Sequence, residues 1–295
     1  MDKISASLKE DYCRYLAANG LEADKWTTNE IMAIATARQI PDGSFLFVGT
    51  GLPLAASMLA QYTTAPKLTM ISEAGIIGPK VNHIPISIID PRLALKAEML
   101  GTISDVFGLI SLRGFCTHGI LGAGQCDKYG NINSTIIGDN YWPAGVSPTQ
   151  KGPQTRLTGS GGANSIASVA DEVIVIMIHE KRRLPEKVDY LTTVSGQRGP
   201  GKENRFHYGL YRGGKVTVCT DFCIMKSDPE TGILILDKVY PGVSIEAIKK
   251  HTGWELDTSR ATTLDPPTEE ELMTLRMVVD PGRLYLGRKS KRREF

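Results

Sequence analysis

The residue whose setting most invites chemistry is Glu73. It follows the apolar run KLTMI (67–71), with Ser72 before it and the small pair Ala74-Gly75 after it. The end of a strand is a rigid platform, and small neighbours let a bulky substrate come close to a carboxylate. On spacing alone a glutamate here reads ordinarily as a solvated charge or a helix cap. Three glycine-rich loops bring chemistry into view. GSGGAN (159–164) can present consecutive backbone N–H groups, because Gly161 and Gly162 carry no side chain to block approach. Such a cradle suits the oxyanion that develops at a carbonyl, or a carboxylate ligand; it also suits a tight turn before a helix. GTGLP (49–53), with Gly49 and Gly51, allows the same two readings. It lacks the spacing and downstream acid of a dinucleotide site, and no Gly-Lys-Ser/Thr follows, which excludes a phosphate loop of that type. GAGQCDKYGNIN (122–133), with Gln125 and Asn131, is likewise too glycine-rich and polar for a simple connector.

The elements that must position these loops alternate between strand and helix. Thr27-Thr28-Asn29-Glu30 is a capping box ahead of the apolar periodicity IMAIATARQI. SFLFV (44–48) reads as a buried strand, LAASMLAQY as a helix entered through Pro53, and KLTMI as the next strand. A right-handed crossover makes those two strands parallel. HGILGAG (118–124), NINSTIIG (131–138), EVIVIMIH (172–179) and KVTVCT (215–220) are further expected strands, and SIASVA (165–170) an expected helix. SIEAIKKHTG and EEELMTLRMVV supply helices near the C-terminus. The fold class is α/β: an open, mainly parallel sheet flanked by helices in three layers. In such sheets the loops leaving the strand C-termini converge on the ligand crevice, so the three glycine loops are the places to look for a site.

Composition narrows the function classes. The 295 residues are 41% hydrophobic and 22% charged, with a net charge of +2, giving no strong field for nucleic acid or a membrane surface. The longest apolar run, VIVIMI, has the length of a strand and is far below the ~20 residues of a spanning helix. Five scattered cysteines make no disulfide framework and fit a reducing, cytoplasmic setting, and the polar N-terminus shows no secretory signal. Cys219 and Cys223 have no second pair to complete a metal site, so the expectation is buried thiols and no metal. The histidines form no serine-hydrolase pattern. HEKRR (179–183) puts one His and three cations at a strand end, able to meet phosphates but more ordinarily an ion-paired turn.

Five stretches in order carry a resemblance: GTGLPLAASMLA with PKLTMISEAGIIG, GAGQCDKYGNINSTIIGD, TRLTGSGGANSIAS, HEKRRLPEKVDYLTT and VTVCTD. On them the chain resembles the class I CoA-transferase family, and within it the β subunit of glutaconate CoA-transferase. The resemblance implies an enzyme that moves CoA between an acyl-CoA and a carboxylic acid. Its E-x-G nucleophile falls on Glu73-Ala74-Gly75, and a glutamyl-CoA thioester forms on Glu73. The oxyanion and CoA-binding set it implies is Gly161, Gly162 and Ala163, with Gln125, Gly49 and Gly51. Coenzyme A is then a substrate, with no permanently bound cofactor. The partner is a separate α subunit, in a heterodimer that doubles to α2β2 or larger. The same fold also supports an acyl-CoA hydrolase, a ring-opening enzyme, a decarboxylase, or a non-catalytic partner subunit. Domain expectations are a helical extension (1–26), the transferase domain (27–287) and a basic tail (288–295). The extension, the long segment 141–155, and Ser-Glu-Ala-Gly in place of the family's usual Val-Glu-Ser-Gly depart from the pattern, and the acid substrate stays open.

Overall fold

Leu46 and Phe47 are neighbours in one strand, yet each is fully buried in a different hydrophobic core. That is the mark of a sheet covered on both faces. The same division separates Met70 from Ile71, Ile120 from Leu121, and Ile174 from Val175.

The computed structural model describes residues 6–81, 84–112, 114–138, 155–197 and 205–287. In chain order the elements are α1 (Ala6–Asn19), α2 (Thr28–Ala37), β1 (Phe45–Val48), α3 (Leu52–Tyr62), β2 (Thr69–Ser72), β3 (Ile76–Ile77), β4 (Met99–Leu100), β5 (His118–Gly122), β6 (Gln125–Cys126), β7 (Ile132–Asn133), β8 (Ile136–Ile137), β9 (Thr155–Arg156), α4 (Ala163–Val169), β10 (Glu172–Ile176), β11 (Lys215–Cys219), β12 (Cys223–Ser227), β13 (Leu234–Val239), α5 (Ile245–Lys250), β14 (Thr262–Thr263) and α6 (Glu269–Thr274). Ten strands form one sheet in the order β14-β13-β12-β11-β10-β5-β1-β2-β3-β4. Its centre, from β11 to β2, is parallel throughout, with Phe47 opposite Ile71 and Gly119, and Ile174 opposite Ile120. Antiparallel strands flank it on both sides. Helices α2, α3 and α6 cover one face, and α4 and α5 the other.

Local signals account for several boundaries. Thr27 and Glu30 close the expected capping box on α2, and Pro53 stands in the first turn of α3. Two expectations change. NINSTIIG is not one strand: the Asn133 side chain accepts from the N–H groups of Thr135 and Ile136 and donates to the Ile136 carbonyl, curling the chain between β7 and β8. Both stay outside the main sheet, paired with β6 and β9. SEAGIIGPK, which reads in the sequence as the loop at the C-terminal end of KLTMI, is not a plain loop either, since β2 turns back as a hairpin through β3.

The N-terminal helix docks onto the C-terminal elements. Tyr12 and Leu16 pack with Met273. Arg276, fully buried, donates to Glu30 Oε1 at 2.9 Å, the Tyr12 hydroxyl at 2.9 Å and the Lys25 carbonyl at 2.6 Å. Most of the segment 141–155 and the tail 288–295 lie outside the described residues. No helix among the described residues is long and apolar enough to cross a membrane.

Candidate active site

Strands β1, β2, β5 and β10 run in one direction, so their C-terminal ends open on one edge of the sheet. A cleft of about 1030 Å³ lies there, lined by Gly49–Pro53 after β1, Glu73 after β2, Gly122–Gly124 after β5, Met177 and Ile178 after β10, and residues 156–163. This is the crevice that an open α/β sheet offers to a ligand.

Glu73 begins the three-residue loop of the β2–β3 hairpin, in which Ser72 pairs with Ile76. Gly75 closes it with φ +93°, donating its N–H to the Ser72 carbonyl at 3.1 Å and accepting from the Gly101 N–H at 2.8 Å. A Cβ at Gly75 would strike the carbonyl of Gly101, so only glycine fits this turn. Ser72, buried, donates its hydroxyl to the Ile88 carbonyl at 2.9 Å. The glutamate thus stands on a hairpin apex fixed by backbone contacts on both sides. Its own carboxylate is half-buried, and no hydrogen bond or ion pair reaches it among the described residues. Burial pushes its pKa above the ordinary carboxylate value, with no opposing charge to pull it back.

Gly162 stands directly against that carboxylate. A Cβ at this position would lie 2.7 Å from Glu73 Cδ and from Oε2, which no side chain could occupy without moving the acid. The backbone N–H groups of Gly161 and Gly162 donate to no backbone acceptor among the described residues, whereas the Ala163 N–H is bonded to the Ser160 carbonyl at 2.9 Å. Ala163 therefore lines the cleft as the first residue of α4 but has no N–H to offer. Gly49 and Gly51 both line the cleft, and a Cβ at Gly49 would meet nothing within 4 Å. The structure brings Glu73, Gly161, Gly162, Gly49 and Gly51 to one crevice.

Gln125 is not part of that wall. It is buried in β6, its carbonyl oxygen accepting from Asn133 at 2.8 Å and from the Asp189 N–H at 3.1 Å. Asn131 is fully buried beside Asp127, to which it donates. Both brace the loop from behind. The HEKRR cluster divides: His179 is buried, stacked on Phe222 and bonded to Thr220 and Thr252, while Arg182 and Arg183 pair with Glu180 and Arg183 also lines the cleft. Cys219 and Cys223 are buried free thiols.

Sequence reasoning missed four cleft residues. Arg156 lines it with no charge partner among the described residues. Ser134 contributes a buried hydroxyl with no hydrogen-bond partner there. Tyr285 and Asn29 complete the rim, Asn29 donating to the Tyr285 carbonyl at 3.0 Å. The capping motif hid Asn29, and Tyr285 lies more than 200 residues from Glu73, so no local signal pointed to either.

The family model described as Coenzyme A transferase matches residues 29–251. The β subunit of 3-oxoadipate CoA-transferase from Pseudomonas knackmussii is 36% identical over 252 residues, covering 85% of this chain and 92% of the relative. The β subunit of glutaconate CoA-transferase from Acidaminococcus fermentans is 34% identical over 272 residues, covering 88% and 95%. The crystal structure of glutaconate coenzyme A-transferase from that organism superposes with a TM-score of 0.80 at 33% identity, covering 91% of this chain and all of the matched one.

Proposed function

This chain belongs to the coenzyme A transferase family, as a β subunit, and from that premise we propose that Glu73 is the nucleophile of a CoA transfer run by double displacement. A Glu73 oxygen attacks the donor thioester carbonyl; the C–O bond forms, the C–S bond breaks and CoA leaves as thiolate. The thiolate attacks the glutamyl carbonyl of the resulting anhydride and expels the donor acid, leaving a glutamyl-CoA thioester. The acceptor carboxylate then repeats the two steps in reverse order. The carboxylate serves as nucleophile in its ionised form and needs no separate base.

One observation carries this reading: the Glu73 carboxylate stands in the cleft against Gly162 with no hydrogen bond or ion pair among the described residues. A structural glutamate with this much burial would be compensated by a cation or donors, as others in the chain are. A poised nucleophile must keep its oxygens available. The N–H groups of Gly161 and Gly162, which reach no backbone acceptor among the described residues, belong to the wall of the same cleft and would receive the negative charge that develops on the carbonyl oxygen under attack. Arg156 and Arg183 on the rim supply positive charge for the phosphates of CoA or for an acidic acceptor. Gly49 and Gly51 keep the wall low where the long substrate passes.

The relatives are β subunits, which supports an α subunit completing the enzyme, in an α2β2 or larger assembly. Trapping tests the mechanism. The assembled enzyme is incubated with acyl-CoA and reduced with borohydride, and the Glu73 peptide should carry the mass of the reduced side chain. An unmodified peptide from an active preparation removes the covalent route. Release of free CoA and acid without an acceptor would assign the site to hydrolysis instead.

A further inference from the structure

Helix α1 lies ahead of the residues that the family model matches, yet a chain of polar contacts joins it to the rim of the cleft. Tyr12 is buried with Leu16 and Met273, and its hydroxyl accepts from Arg276 Nη1 at 2.9 Å. Arg276 in turn holds both carboxylate oxygens of Glu30, at 2.9 and 3.1 Å. Glu30 passes that restraint towards the cleft by two routes. Its Oε1 lies 3.5 Å from Arg283 Nη1. Its neighbour Asn29, a residue of the cleft, donates its side-chain amide to the Tyr285 carbonyl at 3.0 Å.

Both routes end on one turn. Arg283 is held at φ +51°, in the left-handed region that residues other than glycine rarely adopt and that persists only where the surroundings fix it. The Asp280 carboxylate fixes the rest, accepting from the N–H groups of Leu284, Tyr285 and Leu286 at 2.8, 2.9 and 3.0 Å. The turn delivers the Tyr285 ring to the cleft beside Gly51, where a Cβ would stand 4.0 Å from ring carbon Cε1. This is the low wall along which the long substrate passes. We propose that Tyr12 is a positioning residue for the CoA moiety: through Arg276 and Glu30 it fixes the turn at Arg283–Tyr285, and with it the cleft wall beside Gly51. The inference rests on the CoA reading of the cleft above. Without the Tyr12 hydroxyl, Arg276 Nη1 keeps only the Glu22 carbonyl, at 3.1 Å, among the described residues. The turn then gains freedom that a ligand must remove on binding. Glu73 keeps its place, because Ser72 is anchored on Ile88 and Gly75 on Gly101. The signature is weaker binding at unchanged chemistry.

Tyr12→Phe removes the hydroxyl and keeps the ring that packs with Leu16 and Met273. In the assembled enzyme, calorimetric titration with coenzyme A should give a Kd raised roughly three- to tenfold, the worth of one net hydrogen bond, with kcat at saturating acyl-CoA unchanged. Tyr285→Ala removes the end of the chain of contacts and should weaken coenzyme A binding by itself. Adding Tyr12→Phe to it should then cost nothing more, because both act on the same turn. A role in stability alone would lower the melting temperature and leave Kd where it is, which overturns the proposal. Additive losses in the double variant, or a fall in kcat at constant Kd, do the same. Hydrogen exchange on the wild-type enzyme needs no variant: by the reciprocity of coupled sites, coenzyme A should slow exchange at residues 283–287 and in α1 around Tyr12. Unchanged exchange in α1 also overturns it. Weakened coenzyme A binding in Tyr12→Phe, beside a Glu73 peptide that never traps, keeps this inference and removes the covalent mechanism. A wild-type Kd beside a trapped glutamyl-CoA does the reverse.

Discussion

Glu30 and Glu73 are both withdrawn from water, and the protein treats them in opposite ways. Burial alone would raise the pKa of Glu30; the Arg276 guanidinium, the Thr27 N–H and the charge of Arg283 outweigh it and hold the group below the ordinary value. Glu73 has the burial and none of the compensation, so it stays above. The first is a structural joint, tying α2 to the helix region around Arg276 and, through Tyr12, to the N-terminal helix. The second is an acid kept uncompensated where a ligand can reach it. Buried charge without a partner is costly, and a fold that tolerates it at one place while satisfying it completely at another separates function from architecture.

Substituting each acid breaks the comparison from one side. Glu73→Gln in the assembled enzyme should lower turnover by roughly 10⁴-fold or more, the scale on which loss of a covalent nucleophile is felt. It should leave the fold intact, because Glu73 makes no hydrogen bond or ion pair among the described residues. Steady-state kinetics beside a thermal melt decides it; near wild-type turnover ends the nucleophile assignment. On the other side, Arg276→Met takes from the fully buried Glu30 its closest cation, leaving it only Arg283 at 3.5 Å and the Thr27 N–H. That should cost about 3–5 kcal/mol and lower the melting temperature on the order of 10 °C, with turnover of the folded fraction retained. A loss under 1 kcal/mol would show that Glu30 is not dependent on this cation.

Gly162→Ala sharpens the comparison at the catalytic side. The backbone there, at φ −82°, accepts alanine without strain, so stability should hardly move. The new methyl would overlap the Glu73 carboxylate and displace it. Misplacing a reacting group by about 1 Å costs roughly 10²-fold, so kcat should fall by about that factor with a melting curve like the wild type. Unchanged kcat would mean that the Glu73 position seen beside Gly162 is not the reacting one.

The parts of this site that were legible in the sequence are those whose cause is local. A glutamate after an apolar strand, the small pair beside it, and glycines beside a helix start all leave a signature in neighbouring residues. The parallel centre of the sheet was legible for the same reason, from β-branched runs alternating with helical periodicity. The antiparallel flanks were not. Strands of two residues, such as Ile76–Ile77 and Met99–Leu100, show no alternation to detect, and β12 and β13 lie in a mixed-polarity stretch without a clean period of two. Gln125 misled because a polar side chain in a glycine-rich loop looks the same whether it faces a ligand or the loop's own backbone; its bonds to Asn133 and Asp189 decide, and they are made across eight and 64 residues. Arg156 and Tyr285 reach the cleft through tertiary packing alone.

The two glutamates should also leave opposite signatures in the pH dependence of stability, the smallest effect considered and the most direct test of the contrast. Glu73 has a folded-state pKa above its unfolded one. The folded state therefore prefers it protonated, and its contribution is fully present below the unfolded value and lost as pH rises through the folded value. Glu30 has a folded-state pKa below its unfolded one, so its contribution is present above the unfolded value and lost as pH falls through the folded value. Relative to wild type, Glu73→Gln should thus gain melting temperature as the pH is raised from the acid side towards neutrality. Glu30→Gln should be the more destabilised as the pH is raised over the same range. Parallel melts of the two variants across that window measure both slopes. Slopes of the same sign would mean that Glu73 is paired in solution, and with that the distinction between joint and nucleophile would fail.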